Sequence, residues 1–88
     1  MTQRKMHFEI LKVGSEPNNR FLQKTMSGDL WTSRGYAQKF LDLGEAVIEQ
    51  RKHENSYIIW VDESKDAKEF YGGWGEVNRD YIARTFNN

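Results

Sequence analysis

The sequence has no cysteine, and that single absence excludes disulfide staples, thiolate nucleophiles, zinc ribbons and iron–sulfur clusters. It holds one proline and no run approaching the roughly 20 apolar residues that a membrane-spanning helix needs. Met1-Thr2-Gln3-Arg4-Lys5 leads into a strand-like segment and not into the apolar core of a signal peptide, so no membrane role and a cytoplasmic setting are expected. Net charge is missing too, since 13 Lys and Arg face 13 Asp and Glu. Strong nucleic-acid affinity is mainly phosphate neutralisation, and a neutral chain argues against it. A chain of 88 residues makes one domain, residues 1–88. At this size only about 60–65% of the unfolded surface is buried, which leaves one modest core and little room for a deep catalytic cavity.

Aromatic and charged side chains are plentiful, at 14% and 30%, and the aromatics argue against disorder. The charge is unevenly placed along the chain. Residues 1–39 hold seven Lys and Arg and three acids, whereas residues 40–88 hold six basic and ten acidic side chains. Such a split can draw an anionic partner to one surface or join two copies as a homodimer, unless sheet and helices interleave and the halves neutralise each other.

Period-two alternation puts Met6, Phe8 and Ile10 on one side of a first strand, with His7, Glu9 and Leu11 opposite. The turn-rich stretch Gly14-Ser15-Glu16-Pro17-Asn18-Asn19 then predicts a hairpin whose returning strand covers residues 20–26. Ser27-Gly28-Asp29 reads as a second tight turn before an extended segment at Leu30-Trp31-Thr32, and Tyr36, Gln38 and Phe40 alternate as a further extended segment, with a bulge or loop at Gly35 as the equal alternative. The sharpest local signal is Asp42-Leu43-Gly44-Glu45, which has the Asp-x-x-Glu spacing of a capped helix start. Leu43, Ala46, Val47 and Gln50 fall on one stripe of that helix, expected to run over about residues 43–54. Tyr57-Ile58-Ile59-Trp60-Val61 is the most apolar run and the expected central strand. A short helix is expected within residues 62–71, and residues 76–86 read as helix on Val77, Tyr81, Ile82 and Phe86, with an edge strand as the alternative. The fold expected is α+β: a three- to five-stranded, mainly antiparallel sheet with the central helix on one face and a C-terminal helical segment completing the core.

Catalytic patterns fail on inspection. His7-Phe8-Glu9 matches the His-x-Glu of zinc deaminases, but the cysteines that complete their metal site do not exist here. Glu49 and His53 stand four apart on the expected helix and could share a metal ion, but a third ligand would have to come from elsewhere, His7 being one source; no metal or other cofactor is expected. No Gly-x-Ser-x-Gly elbow, phosphate loop or dinucleotide fingerprint occurs. The expectation is a non-catalytic chain.

Binding chemistry has more to work with. Trp31, Tyr36, Tyr71 and Trp74 sit beside glycine or turn residues, where an aromatic is less certain of burial than inside a strand, and Tyr and Trp supply much contact area per frozen torsion. With Arg34 and the acidic Asp62, Glu63 and Asp66 they form the candidate contact set for a larger protein or complex. The alternative is single-stranded nucleic acid or a nucleotide bound through the basic first half.

Two resemblances bear on these expectations. Arg34-Gly35-Tyr36-Ala37 resembles the first half of the aromatic box of RNA-recognition motifs, but Gln38 and Lys39 stand where that box needs an aromatic and an aliphatic residue, and Phe40 falls on the wrong side of a strand. A Trp-Thr step, then Ala37, Phe40, Leu43, Glu45 and Ala46, then an apolar strand, is similar to many small accessory proteins of bacteriophages and prophages. That resemblance implies a stand-alone protein that docks on a host macromolecule, as anti-CRISPR and other anti-defence inhibitors do.

Overall fold

The computed structural model describes residues 6–63 and 73–86. Five strands form one antiparallel sheet: β1 (Met6–Lys12), β2 (Phe21–Thr25), β3 (Gly28–Thr32), β4 (Ser56–Asp62) and β5 (Trp74–Glu76), in the order β3-β2-β1-β4-β5. Among the described residues two α-helices accompany it, α1 (Leu43–Gln50) between β3 and β4, and α2 (Arg79–Thr85) after β5. The α+β architecture with a central and a C-terminal helix is the one the sequence implied.

Each element has a local cause. β1 and β4 are β-branched and aromatic and pair along their whole length, from Met6 opposite Asp62 to Lys12 opposite Ser56. α1 starts where Asp42 predicts, its carboxylate accepting from the Glu45 amide at 3.2 Å. It stops at Gln50 and not near residue 54. The Gln50 side chain donates to the Ser56 carbonyl at 3.0 Å, Ser56 Oγ donates to the His53 carbonyl at 2.6 Å, and Asn55 turns the chain with a φ of 60°. α2 is capped by Asn78, whose Oδ1 accepts from the amides of Asp80 at 2.8 Å and Tyr81 at 3.1 Å.

One other expectation is corrected and one alternative is decided. The β2–β3 reversal is the two residues Met26 and Ser27, so Gly28 and Asp29 belong to β3; Gly28 opens that strand at a φ of +126°, which glycine tolerates and other residues rarely adopt. Arg34–Tyr36 is a short 3-10 turn and not an extended segment, which removes the strand that an RNA-recognition box requires. Only after it does the chain extend, and it does so as a wedge. β2 pairs with β1 only at Leu11 opposite Phe21 and then splays away. Residues 38–40 fill the gap, with the Gln38 amide donating to the Leu22 carbonyl at 2.8 Å and Phe40 exchanging backbone bonds of 2.7 and 2.8 Å with Phe8. Of the short helix expected within residues 62–71, Asp62 is the last residue of β4, and residues 64–71 lie outside the described residues.

The pleat gives the sheet two unlike faces. Phe8, Ile10, Leu22, Trp31 and Ile58 point to one side and pack with Phe40, Leu43, Ala46 and Val47, and Val77, Ile82 and Phe86 close its margin. Fully burying a side chain such as Ile10 or Leu22 stabilises by about 1.5–3 kcal/mol relative to exposure. Trp60 also points this way but lies over Gly75, where a Cβ would come within 3.0 Å of the indole; the missing side chain permits that close approach. The other face gathers Leu11, Phe21, Ile59 and Val61, with Ala37, Tyr57 and Trp74 packed against them.

Candidate functional site

The second face holds both the apolar cluster and the polar groups that stability alone does not require. Because β2 and β3 form a tight hairpin with Phe21 opposite Thr32, Arg20 and Ser33 flank the same end of it. The 3-10 turn of residues 34–36 then folds across that end. The result is a cleft of about 500 Å³ whose floor is Leu11, Phe21, Ile59 and Trp74 and whose rim carries Arg20 and Arg34. A volume of this size suits one or two side chains of a partner, or a small ligand. The Arg34 guanidinium lies 5.8 Å from the centre of the Phe21 ring, within cation–π range. Arg20 is fixed by two bonds to the Ser15 carbonyl, of 3.3 Å from Nε and 2.9 Å from a terminal nitrogen. That acceptor is neutral, so it positions the guanidinium without cancelling its charge.

Farther along the same face is a polar row. His7 and Glu9 are buried to 3% and 4% exposure among apolar neighbours and meet at 2.5 Å between Nε2 and Oε2. On the other side of the imidazole, Nδ1 lies 3.4 Å from Glu63 Oε1, and Lys39 reaches the same oxygen at 3.4 Å. Burial pushes the Glu63 carboxyl up, but the neighbouring His7 charge and the Lys39 ammonium outweigh it and hold its pKa below the ordinary carboxylate value. His7 Nδ1 and Glu9 Oε1 are buried without a hydrogen-bond partner. A carboxylate–imidazole–carboxylate row can hold and relay a proton, but among the described residues no hydroxyl hydrogen-bonds the ring to serve as a nucleophile.

The structure separates the residues singled out from sequence. Arg34 and Trp74 come together in the cleft, and Tyr36, 66% exposed, stands on the turn that forms its wall. Trp31 is on the opposite face, half-buried against the helix-side cluster with its ring edge-on to His53. Asp62 ends β4, and Glu63 is engaged by Lys39 and His7. Tyr71 and Asp66 lie outside the described residues. His7 and His53, weighed as partners on one metal ion, are on opposite faces of the sheet, because the odd-numbered residues of β1 point away from the helix whereas His53 sits against Trp31. Sequence reasoning missed Arg20 and the Leu11-Phe21-Ile59 floor. The signal was the hairpin register: a turn at Met26-Ser27 places Arg20 beside Ser33 and Arg34, whereas a turn at residues 27–29 does not.

Among the described residues the basic and acidic halves of the sequence are joined by ion pairs, Lys24 meeting Glu49 at 2.7 Å and Lys39 meeting Glu63 at 3.4 Å. No helix among the described residues is long and apolar enough to cross a membrane. Compared with known proteins, the chain matches no family model, and no curated protein and no solved structure is significantly similar to it.

Proposed function

We propose that the chain is a non-catalytic binding protein that uses the cleft on the second face of its sheet to hold an acidic, aromatic- or aliphatic-bearing segment of a larger protein. One observation carries this reading: Leu11, Phe21, Ile59 and Trp74 line one cleft together with Arg20 and Arg34. An apolar anchor side chain fills the floor while a neighbouring carboxylate meets Arg20 or Arg34, the pairing of buried anchor and charged rim that concentrates binding energy in few residues. Tyr36 and Leu30, at 66% and 43% exposure, extend the contact beyond the cleft, Leu30 being on the same sheet face as Phe21 and Thr32. The resemblance to phage accessory proteins makes the larger protein a bacterial host component, with inhibition as the outcome of docking.

Selection of binders from a displayed random-peptide library tests the reading. Enriched sequences should pair a large apolar residue with Asp or Glu, and their affinity should fall at least about tenfold for Trp74→Ala or Arg20→Ser. Salt should weaken the binding only mildly. Enrichment without acidic residues, or equal binding by both variants, would contradict the assignment. Binding of a single-stranded oligonucleotide that falls steeply with salt and depends on Arg20 would favour the nucleic-acid alternative instead.

A further inference from the structure

A second constellation lies on the helix-covered side, away from the cleft. Glu49 and His53 stand four residues apart at the end of α1, and the β2–β3 hairpin brings Asp29 up to them. One oxygen from each carboxylate and one imidazole nitrogen lie within 4.8 Å of one another, and His53 Nε2 is 3.1 Å from Asp29 Oδ2. Ligand atoms around a tetrahedral zinc ion with bonds near 2.0–2.1 Å are about 3.3 Å apart, so small side-chain rotations close the set. We infer that Asp29, Glu49 and His53 form a zinc site that ties the edge hairpin to the C-terminal end of α1.

Two further observations point to a cation. Glu49 Oε1 accepts from Lys24 at 2.7 Å and from Lys52 at 3.2 Å, but Glu49 Oε2 is buried without a hydrogen-bond partner, a costly state for a carboxylate oxygen that ligation would relieve. Trp31 meets the His53 ring edge-on with centroids 5.3 Å apart, which restrains the imidazole while Asp29 holds its Nε2 toward the site. Metal entry replaces that His53–Asp29 hydrogen bond: the Nε2 lone pair binds zinc, the ring proton resides on Nδ1, and Asp29 and Glu49 each bind through one carboxylate oxygen. Imidazole with two carboxylates selects zinc over magnesium or calcium, and three protein ligands leave a fourth position for water. The Lys24 and Lys52 ammonium groups oppose the added charge and set the site apart from the high-affinity thiolate type.

Untagged full-length protein, stripped with chelator and titrated with zinc chloride, provides the test. Wild type should take up one equivalent, gain thermal stability and keep the metal in excess magnesium. Cobalt in place of zinc should give the intense visible bands of a four-coordinate site. His53→Gln and Asp29→Asn change partly exposed side chains and should fold as wild type by circular dichroism, yet bind zinc at least about 10–100-fold more weakly. His7→Gln, on the other face, should bind as wild type. Absence of stoichiometric uptake by wild type, or unchanged affinity in the folded His53→Gln and Asp29→Asn proteins, overturns the assignment.

Discussion

The helix-covered face of the sheet buries Ile10, Leu22 and Ile58 to 2% exposure or less beneath Val47 of α1, and the polar side chain it buries, Ser56, is satisfied locally by the His53 carbonyl. The opposite face is built from the same strands, yet it buries a histidine and a glutamate beside Ile59 and Val61 and opens into a cleft rimmed by two arginines. Burying polar groups gains nothing over well-packed apolar residues of the same volume. On the binding function proposed above, a chain that spends interior on them divides its labour: the apolar face supplies most of the stability and the cleft face supplies the contact.

The most direct way to break this comparison is to truncate the first face. Ile10→Ala should cost about 2–5 kcal/mol, enough to unfold a domain of this size near physiological temperature, and denaturant unfolding followed by circular dichroism reads it. On the second face, Glu9→Leu alone should cost about 1–3 kcal/mol because His7 Nε2 loses its acceptor in the interior. The pair His7→Leu and Glu9→Leu together should recover most of that loss. If the double variant is as unstable as the two single losses added, the polar row is itself structural and the division of labour fails.

Particular residues show why the first face was legible in the sequence and the second was not. Asp42 announces α1 through a bond to an amide three residues away, and the Tyr57 to Val61 run announces a buried strand by composition; both signals are local. Val77, Tyr81, Ile82 and Phe86 marked α2 by spacing; Val77, Ile82 and Phe86 pack on the cluster, Val77 from just before the helix, whereas Tyr81 is 50% exposed. β5 was not legible, because Trp74-Gly75-Glu76 is three residues long with a glycine at its centre and exists only through pairing with Ile59, Trp60 and Val61. The cleft needed the hairpin register, which one residue of error in the turn destroys. The metal-ligating set needed Asp29, 20 positions before Glu49, and no helical periodicity reports a contact between a strand edge and a helix.

Smaller effects sharpen the picture of how the first face is closed. α2 holds down its margin, and Asn78→Ala, which removes the acceptor for the Asp80 and Tyr81 amides, should cost about 1 kcal/mol. The loss should appear as a lower melting temperature, with cleft binding unchanged, because none of the cleft residues lies on α2.

The smallest effect expected is electrostatic, and its sign follows from geometry. The bond to Lys24, with help from Lys52, lowers the Glu49 pKa against the opposing effect of burial. Because the folded value lies below the unfolded one, the contribution is complete above the ordinary carboxylate range and disappears as pH falls through the depressed value. The same bond raises the Lys24 pKa, so from that side the contribution persists until alkaline pH passes the raised value. Lys24 is exposed to solvent, so screening by water and salt keeps the contribution of the pair small. Melting temperatures of wild type and Glu49→Gln, measured in chelator so that metal binding does not enter, should differ modestly at neutral pH and converge on acidification. A gap that stays constant down to strongly acidic pH would mean that Glu49 supports α1 by packing alone, and the helix-covered face would then owe nothing to charge at its hairpin edge.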